Sequence, residues 1–243
     1  EEITGMSCGL HHVGGVTIAT DRDRLDYLIA ERAKHRYMGL ETEIIGPDEI
    51  RKISPITNTD GVLGGLYDPL DGHLDPSGTT QAYAKAARMG GAEIVLRNRV
   101  LELNPVADCW DVVTEQGTVR TEHVINAAGL WAREVGAMAG VYLPLHPMEH
   151  QYFITDDIPE VMEHPTELPH VMDPSGETYL RQEGNGLCIG IYEQKAVPWA
   201  VNGTRWDFGH ELLNDDLDRV AEPLEASFER FPVLGRAAIK RTI

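Results

Sequence analysis

The residues best suited to proton transfer lie in one short run, in which His150 and Tyr152 alternate with Gln151 and Phe153. Alternate residues of a β-strand point to the same face of a sheet, so we expect the imidazole of His150 and the phenol of Tyr152 to share a face. An imidazole titrates near neutral pH and can accept a proton or hold a carboxylate. The alternative is a structural histidine at the entry of a strand.

A second run has the same alternation, with Tyr179 and Arg181 two residues apart. A phenol hydroxyl beside a guanidinium can seat a carboxylate, because arginine presents a planar fork of N–H donors. An exposed strand arginine is the ordinary alternative for Arg181. In the loop over residues 65–76, Asp75 is suited to cap a helix, whereas His73 either lines a cavity or forms hydrogen bonds within the loop.

Residues 124–132 predict an apolar strand that runs into a turn of small residues and then into a helix over residues 130–139. Small residues at a strand-to-helix junction let backbone N–H groups approach a pyrophosphate closely. Such junctions also occur where a helix simply packs on a strand. The chain has no G-x-G-x-x-G, and its only G-x-G, at residues 184–186, lies in a predicted hairpin turn.

Hydrophobic periodicity and turn residues predict the elements that position these groups. Thr20 is expected to cap the first helix, with Asp23 as its reciprocal partner. Helices are predicted over residues 21–38, 47–53, 76–89, 130–139 and 215–230. Strands are predicted over residues 15–19, 92–96, 99–103, 110–114, 119–120, 124–126, 151–155, 178–182 and 187–192.

Charge and composition exclude several classes of protein. The formal net charge is −18, whereas a phosphate backbone attracts clustered Lys and Arg, so no nucleic-acid partner is expected. No run of about 18 apolar residues occurs, so no membrane span is expected. The three cysteines have no paired spacing, which favours a reducing compartment. The histidines show no repeated ligand spacing, and no metal site is expected.

Four separated blocks occur in order along nearly the whole chain: GLYDPLDGHLDP at residues 65–76, NAAGLWAREVG at 126–136, HQY at 150–152 and YLRQE at 179–183. Together they resemble the dimethylglycine and sarcosine dehydrogenase family, within the D-amino-acid-oxidase superfamily of FAD-dependent enzymes. The resemblance implies FAD and the oxidation of the N-methyl group of a small N-methylated amino acid. The resulting iminium would hydrolyse to formaldehyde, or pass to folate in members with an added C-terminal domain.

The resemblance also implies an α/β fold, in which a partial FAD-binding domain of the two-dinucleotide type packs with a mainly antiparallel substrate-binding sheet. We expect residues 1–76 to form part of the substrate domain with helices, residues 77–140 the partial FAD-binding domain, and residues 141–243 the remaining substrate domain. Electrons would leave to dioxygen or to an electron-transfer flavoprotein, in the cytoplasm or, in a eukaryote, in the mitochondrial matrix.

Candidate site residues follow from the matching positions. The family has an active-site histidine at the position of His150 and an active-site tyrosine at that of Tyr179, and Arg181 and His73 are further candidates. Four positions would contact the adenosine and pyrophosphate of FAD, and one tryptophan would pack on its flavin side or in the core: Val100, Ala127, Ala128, Gly129 and Trp131.

Some parts of the family pattern do not occur in this sequence. The phosphate-binding G-x-G-x-x-G and the histidine that carries the flavin covalently lie upstream in the family, so His11 and His12 are not assigned that linkage. We therefore expect an internal fragment that is inactive by itself. Two alternatives remain: a relative that acts on a D-amino acid, proline or glycerol-3-phosphate, and a non-catalytic binding module that keeps the fold.

Overall fold

The computed structural model describes all residues, 1–243, and has a mixed α/β architecture, which confirms the expected fold class. The chain forms two compact units. The first contains residues 1–83, 150–195 and 213–243, and the second contains residues 84–149 and 196–212. The assignment of residues 1–76, 77–140 and 141–243 to substrate and FAD domains stays a prediction.

The strands and helices are numbered in chain order. The strands are β1 (His11–His12), β2 (Gly15–Ala19), β3 (Glu43–Ile45), β4 (Gly64–Asp68), β5 (Gly72–His73), β6 (Val100–Val106), β7 (Cys109–Thr114), β8 (Gly117–Thr121), β9 (Tyr152–Thr155), β10 (His170–Asp173), β11 (Thr178–Glu183), β12 (Gly186–Ile191) and β13 (Ile239–Thr242). The helices are α1 (Arg22–Tyr37), α2 (Pro47–Ile53), α3 (Pro76–Met89), α4 (Ala132–Met138), α5 (Pro159–Met162) and α6 (Ala221–Arg230). None of these helices combines the length and apolarity needed to cross a membrane.

The first unit is built on an eight-stranded sheet in the order β13-β9-β12-β11-β10-β2-β4-β3. Only the pairing of β10 with β2 is parallel, and all the other neighbouring pairs are antiparallel. A separate two-stranded ladder joins β1 to β5, with His11 directly opposite His73. The predicted mainly antiparallel sheet is therefore present in this unit.

One face of the large sheet is buried by helices. Val16, Val171 and Leu180 belong to the main apolar cluster, together with Ile50 of α2 and Val161 of α5. Val16, Val171 and Leu180 alternate along their strands with the less buried residues Thr17, Met172 and Tyr179, which lie on the opposite, open face of the sheet.

Helix α6 is fixed to the sheet by two buried polar contacts. Ser227 donates a hydrogen bond to the hydroxyl of Thr178 on β11 over 3.0 Å. Arg230 pairs with Asp173 of β10, with 2.7 Å between Nε and Oδ2. Both Arg230 and Asp173 have largely buried side chains, so the pair holds one geometry rather than many.

The second unit contains the three-stranded antiparallel sheet β6-β7-β8. A 3₁₀ turn at Gly129–Trp131 leads directly into α4. The indole N–H of Trp131 donates to the backbone carbonyl of Arg205 over 2.9 Å, and Glu134 accepts from the backbone N–H of Thr204 over 2.8 Å. The segment 196–212 is therefore tied to the start of α4.

Most predicted elements are confirmed within a few residues, but two predicted strands are wrong. Residues 92–96 and 124–126 form no β-ladder, although their apolar runs favour strands. Leu96 is 71% exposed and Ile125 is 89% exposed. A strand needs a neighbour for its N–H and C=O groups, and no other segment of the described chain pairs with these two runs.

The ends of two helices also differ from the prediction. Asp21, not Thr20, caps α1, because its carboxylate accepts the backbone N–H of Arg24 over 2.7 Å. The last long helix begins at Ala221 rather than at residue 215. Pro223 explains this difference, because proline has no N–H to donate and fits only the first turn of a helix.

Candidate functional site

The open face of the large sheet carries three of the four predicted catalytic residues. Tyr179 and Arg181 of β11 lie opposite Gly190 and Cys188 of β12, so all four share one face. Tyr152 of β9 is paired with Gly190 on the other side and shares that face too. His150 lies just before β9 and is exposed.

His150, Tyr192 and Tyr179 form a contiguous aromatic cluster at one end of this face. The ring centroids of His150 and Tyr192 are 6.0 Å apart, and those of Tyr179 and Tyr192 are 5.4 Å apart. Burial raises the pKa of the Tyr179 phenol above its ordinary value, and Cys188 and Tyr192 act in the same direction. The phenol of Tyr179 therefore stays protonated at neutral pH and can donate a hydrogen bond.

Tyr192 is a member of this cluster that the sequence motifs did not predict. It lies one residue beyond the end of β12, two residues after Gly190. The same alternation that linked Tyr179 to Arg181 places Tyr192 on the open face, so the pattern could have identified it.

Arg181 lies two residues from Tyr179 on the same face, as its position in the strand predicts. Its guanidinium already pairs with Glu183, with 2.5 Å between Nη1 and Oε2, and donates to the carbonyl of Gln182 over 3.1 Å. Two of the five guanidinium N–H directions are used in this way. A carboxylate could still be bound through the remaining N–H groups, so a role for Arg181 in substrate binding stays a prediction.

His73 lies in a different group from His150. Its Nδ1 is 3.1 Å from Nε2 of His170, and its Nε2 is 3.3 Å from Oε1 of Glu167. The other carboxylate oxygen of Glu167 is 2.7 Å from Nδ1 of His11. Burial lowers the pKa of both His73 and His170 below the ordinary value for histidine.

No sequence pattern predicts the group around His73. His11 and Glu167 are separated by 156 residues, and His73 and His170 by 97 residues. Ligand or relay motifs are recognised when residues recur within one helix or loop, and these four residues come from distant segments. The pairing of β1 with β5 brings His11 and His73 together.

The predicted cofactor residues lie in the second unit. Val100, Ala128 and Trp131 line one open cavity of about 610 Å³, together with Arg97 and Arg99. Apolar walls suit an adenine ring, and the two guanidinium groups suit a pyrophosphate, so the donor set is compatible with the adenosine end of FAD.

The other two predicted cofactor residues do not line this cavity. Ala127 is exposed, and Gly129 begins the 3₁₀ turn with a φ of +53°. A Cβ atom built on Gly129 would meet nothing within 4 Å, so open space lies beside the turn. Contacts of Ala127 and Gly129 with a nucleotide stay a prediction.

Known proteins similar in sequence match nearly the whole chain. The chain is 42% identical over 245 residues to the mitochondrial dimethylglycine dehydrogenase of Rattus norvegicus. The aligned region covers 98% of this chain and 29% of that protein. It is 34% identical over 249 residues to the mitochondrial sarcosine dehydrogenase of Homo sapiens, covering 100% of this chain and 26% of that protein. It thus spans less than a third of the length of these relatives.

A solved structure shows the same fold at high similarity. L-proline dehydrogenase from P. horikoshii matches with a TM-score of 0.81 and 26% sequence identity, covering 99% of this chain and 61% of that chain. Residues 1–243 also match the family described as FAD dependent oxidoreductase. These findings confirm the family resemblance, and the chain belongs to the FAD-dependent oxidoreductases.

Proposed function

We propose that this chain forms the substrate-binding sheet of an enzyme that uses FAD to oxidise a small N-methylated amino acid, dimethylglycine or sarcosine. The observation that carries the proposal is the cluster of His150, Tyr179 and Tyr192 beside Arg181 on one open face of the sheet. The activities named for the two relatives, dimethylglycine dehydrogenase and sarcosine dehydrogenase, support this substrate class.

The aromatic cluster suits the amine end of such a substrate. Tyrosine ring faces attract methylated ammonium groups through cation–π interactions, and the rings of Tyr179 and Tyr192 lie 5.4 Å apart. Arg181 lies two residues from Tyr179 in the direction of Glu183, and it would bind the carboxylate end. The substrate would therefore lie along β11, with its methyl groups at the Tyr192 end.

His150 has the proton-transfer role in this proposal. Amine oxidation needs the unprotonated amine, and an imidazole at the edge of the cluster can accept the ammonium proton. The protonated phenol of Tyr179 then donates a hydrogen bond that holds the substrate in place. FAD, when bound, supplies the acceptor for the hydride of the N-methyl carbon.

The cofactor and the electron acceptor belong to the same proposal. Val100 and Ala128 would contact the adenosine end of FAD in this cavity, with Arg97 and Arg99 at the pyrophosphate. Trp131 would pack on the flavin side of the cofactor or in the core. The acceptor would be dioxygen or an electron-transfer flavoprotein, and folate would take the one-carbon unit only where a folate-binding domain is present. A mitochondrial matrix or cytoplasmic location fits this chemistry.

The proposal is tested on the gene product that contains this chain, loaded with FAD under anaerobic conditions. We expect dimethylglycine or sarcosine to bleach the flavin absorbance, and proline, D-alanine and glycerol-3-phosphate to bleach it much more slowly. Fast bleaching by proline, D-alanine or glycerol-3-phosphate would mean that the substrate is not an N-methylated amino acid. No bleaching by any of the five, in a protein that binds FAD, would favour a non-catalytic module.

The roles of individual residues are tested by stopped-flow reduction in the same protein. His150→Ala is expected to slow flavin reduction by about 10²–10⁴-fold, the usual range for a lost general acid–base group. Tyr179→Phe removes the hydrogen bond that holds the substrate, and it should slow flavin reduction too. His12→Ala is the control, because His12 lies on β1 and its Nδ1 faces the carbonyl of Leu70 at 3.4 Å. If all three variants reduce the flavin at the rate of the parent protein, His150 and Tyr179 have no role in the reaction.

A further inference from the structure

Two imidazoles and one carboxylate converge beside the β1–β5 ladder. The antiparallel register places His11 opposite His73, and Glu167 reaches both residues with its two carboxylate oxygens. One potential ligand atom from each residue lies within 4.8 Å of the other two. Donor atoms from three separate segments of the first unit thus lie close together.

We propose that His11, His73 and Glu167 bind a divalent transition-metal ion of the zinc class. Two histidine nitrogens and one carboxylate oxygen form a ligand set that Zn²⁺ accepts in tetrahedral geometry, with a fourth position left for water or another ligand. The 3.3 Å between Nε2 of His73 and Oε1 of Glu167 is close to the ligand–ligand distance in a tetrahedron with bonds of about 2.0–2.1 Å.

His170 supplies the supporting contact that metal-binding histidines commonly have. Its Nε2 is 3.1 Å from Nδ1 of His73, the ring nitrogen that would not face the metal. When the Nδ1–H of His73 donates to His170, the lone pair of Nε2 is fixed toward Glu167 and the metal. This contact determines which tautomer and which ring orientation His73 adopts.

The surrounding charges favour a cation. The carboxylate of Glu183 acts electrostatically on His73, and that of Asp71 acts on His170, in addition to Glu167 itself. Arg181 is the opposing positive charge near both histidines, and it is paired with Glu183. Three carboxylates therefore face one guanidinium around the site, which leaves a net negative environment.

Binding requires one local rearrangement. The rings of His11 and His73 are parallel to within 15°, with centroids 4.7 Å apart, so His11 must turn about its Cβ–Cγ bond to direct a lone pair at the shared ion. The side chain of His11 is 51% exposed, and the turn would give up its stacking contact with His73. Nδ1 of His11 lies 2.7 Å from Oε2 of Glu167, so the ion would replace this direct contact between the two side chains.

The experiment uses the tag-free chain after treatment with a chelator, and it does not depend on the proposed oxidation of an N-methylated amino acid. Zn²⁺ is titrated against a chromophoric competitor, and Co²⁺ is titrated by visible absorbance. We expect one equivalent of Zn²⁺ to bind, and an intense Co²⁺ spectrum typical of tetrahedral coordination.

Two variants and one control identify the ligands. His11→Ala and Glu167→Gln are each expected to weaken Zn²⁺ binding by at least about tenfold, as for the loss of a ligand or its partner. His12→Ala, on the same exposed strand, should leave the affinity unchanged. The proposal is overturned if the chain binds no Zn²⁺ saturably, or if all three variants bind it as the parent does.

Discussion

The phenol ring of Tyr179 lies directly across the backbone of Gly190 on the neighbouring strand. The two residues are paired in the β11–β12 register, and a Cβ atom at residue 190 would lie 2.0 Å from ring atoms of Tyr179. Only a residue without a side chain permits this approach. The ring position is thus determined by the strand beneath it, and from there it reaches Tyr192.

Replacing this glycine should displace the ring. In Gly190→Ala the added methyl group forces Tyr179 from its position, and overpacking of this kind costs about 1–3 kcal/mol of the free energy of unfolding. The measurement is urea denaturation at neutral pH. Gly235→Ala is the matched control, because a Cβ at residue 235 meets nothing within 4 Å.

A double variant shows whether the cost comes from the contact with Tyr179. With Tyr179→Ala in the background, Gly190→Ala should cost almost nothing, because the clashing ring has been removed. Additive losses from the two substitutions would mean that the methyl group disturbs the strand backbone instead. In the FAD-loaded gene product, Gly190→Ala should also slow flavin reduction, since Tyr179 no longer faces the substrate.

Alternation along single strands made much of this arrangement predictable. β2 has the predicted bounds, and β11 and β12 start or end within about one residue of them, so the residue order alone is enough to assign Tyr179 and Arg181 to one face. The runs at residues 92–96 and 124–126 were predicted as strands and are not strands. Their composition favours strands equally well, but composition does not say whether a partner strand lies alongside.

The rest of the candidate site depends on contacts between distant segments. Glu167 and His11 meet because β1 pairs with β5 and because the segment before β10 passes the same ladder. No local pattern encodes a contact between residues 156 positions apart. The position of Tyr179 over Gly190 is of the same kind, because residue types alone do not fix a ring to one rotamer.

The Cys188 thiol and the Tyr179 phenol should make the protein less stable at alkaline pH. Burial raises the pKa of the Cys188 thiol above 9.0 and that of the Tyr179 phenol above 10.0, their ordinary values. The folded chain therefore holds these protons more tightly than the unfolded chain does. Their contribution to stability is complete below the unfolded pKa values and is lost as the pH rises through the folded ones.

We expect the free energy of unfolding, measured by urea denaturation, to fall above about pH 9, and to fall less steeply in Cys188→Ala and Tyr179→Phe. Tyr37→Phe is the control for the second variant, because Tyr37 is 93% exposed. A pH profile of the two variants that matches the parent at every pH would mean that neither group has a different proton affinity in the folded state.

Exposed apolar side chains in the second unit should make the chain associate with itself. Leu96 and Ile125 lie in the two apolar runs that form no β-ladder, and Ile125 is 89% exposed. Unpaired apolar segments with free backbone N–H and C=O groups are templates for pairing between chains. The net charge of −18 opposes association, so we expect it to increase with salt, which screens that repulsion.

The measurement is light scattering over a range of chain and salt concentrations. We expect the average mass to rise with both, and Ile125→Glu to lower it, because a carboxylate in the exposed run resists pairing with a second copy. Ile3→Glu adds the same charge at a residue that is 79% exposed in the first unit, and it should have a much smaller effect. Equal suppression by both substitutions would show that net charge alone controls association. If the chain is a monomer at every concentration, exposure of these two apolar runs is not enough to make the chain associate with itself.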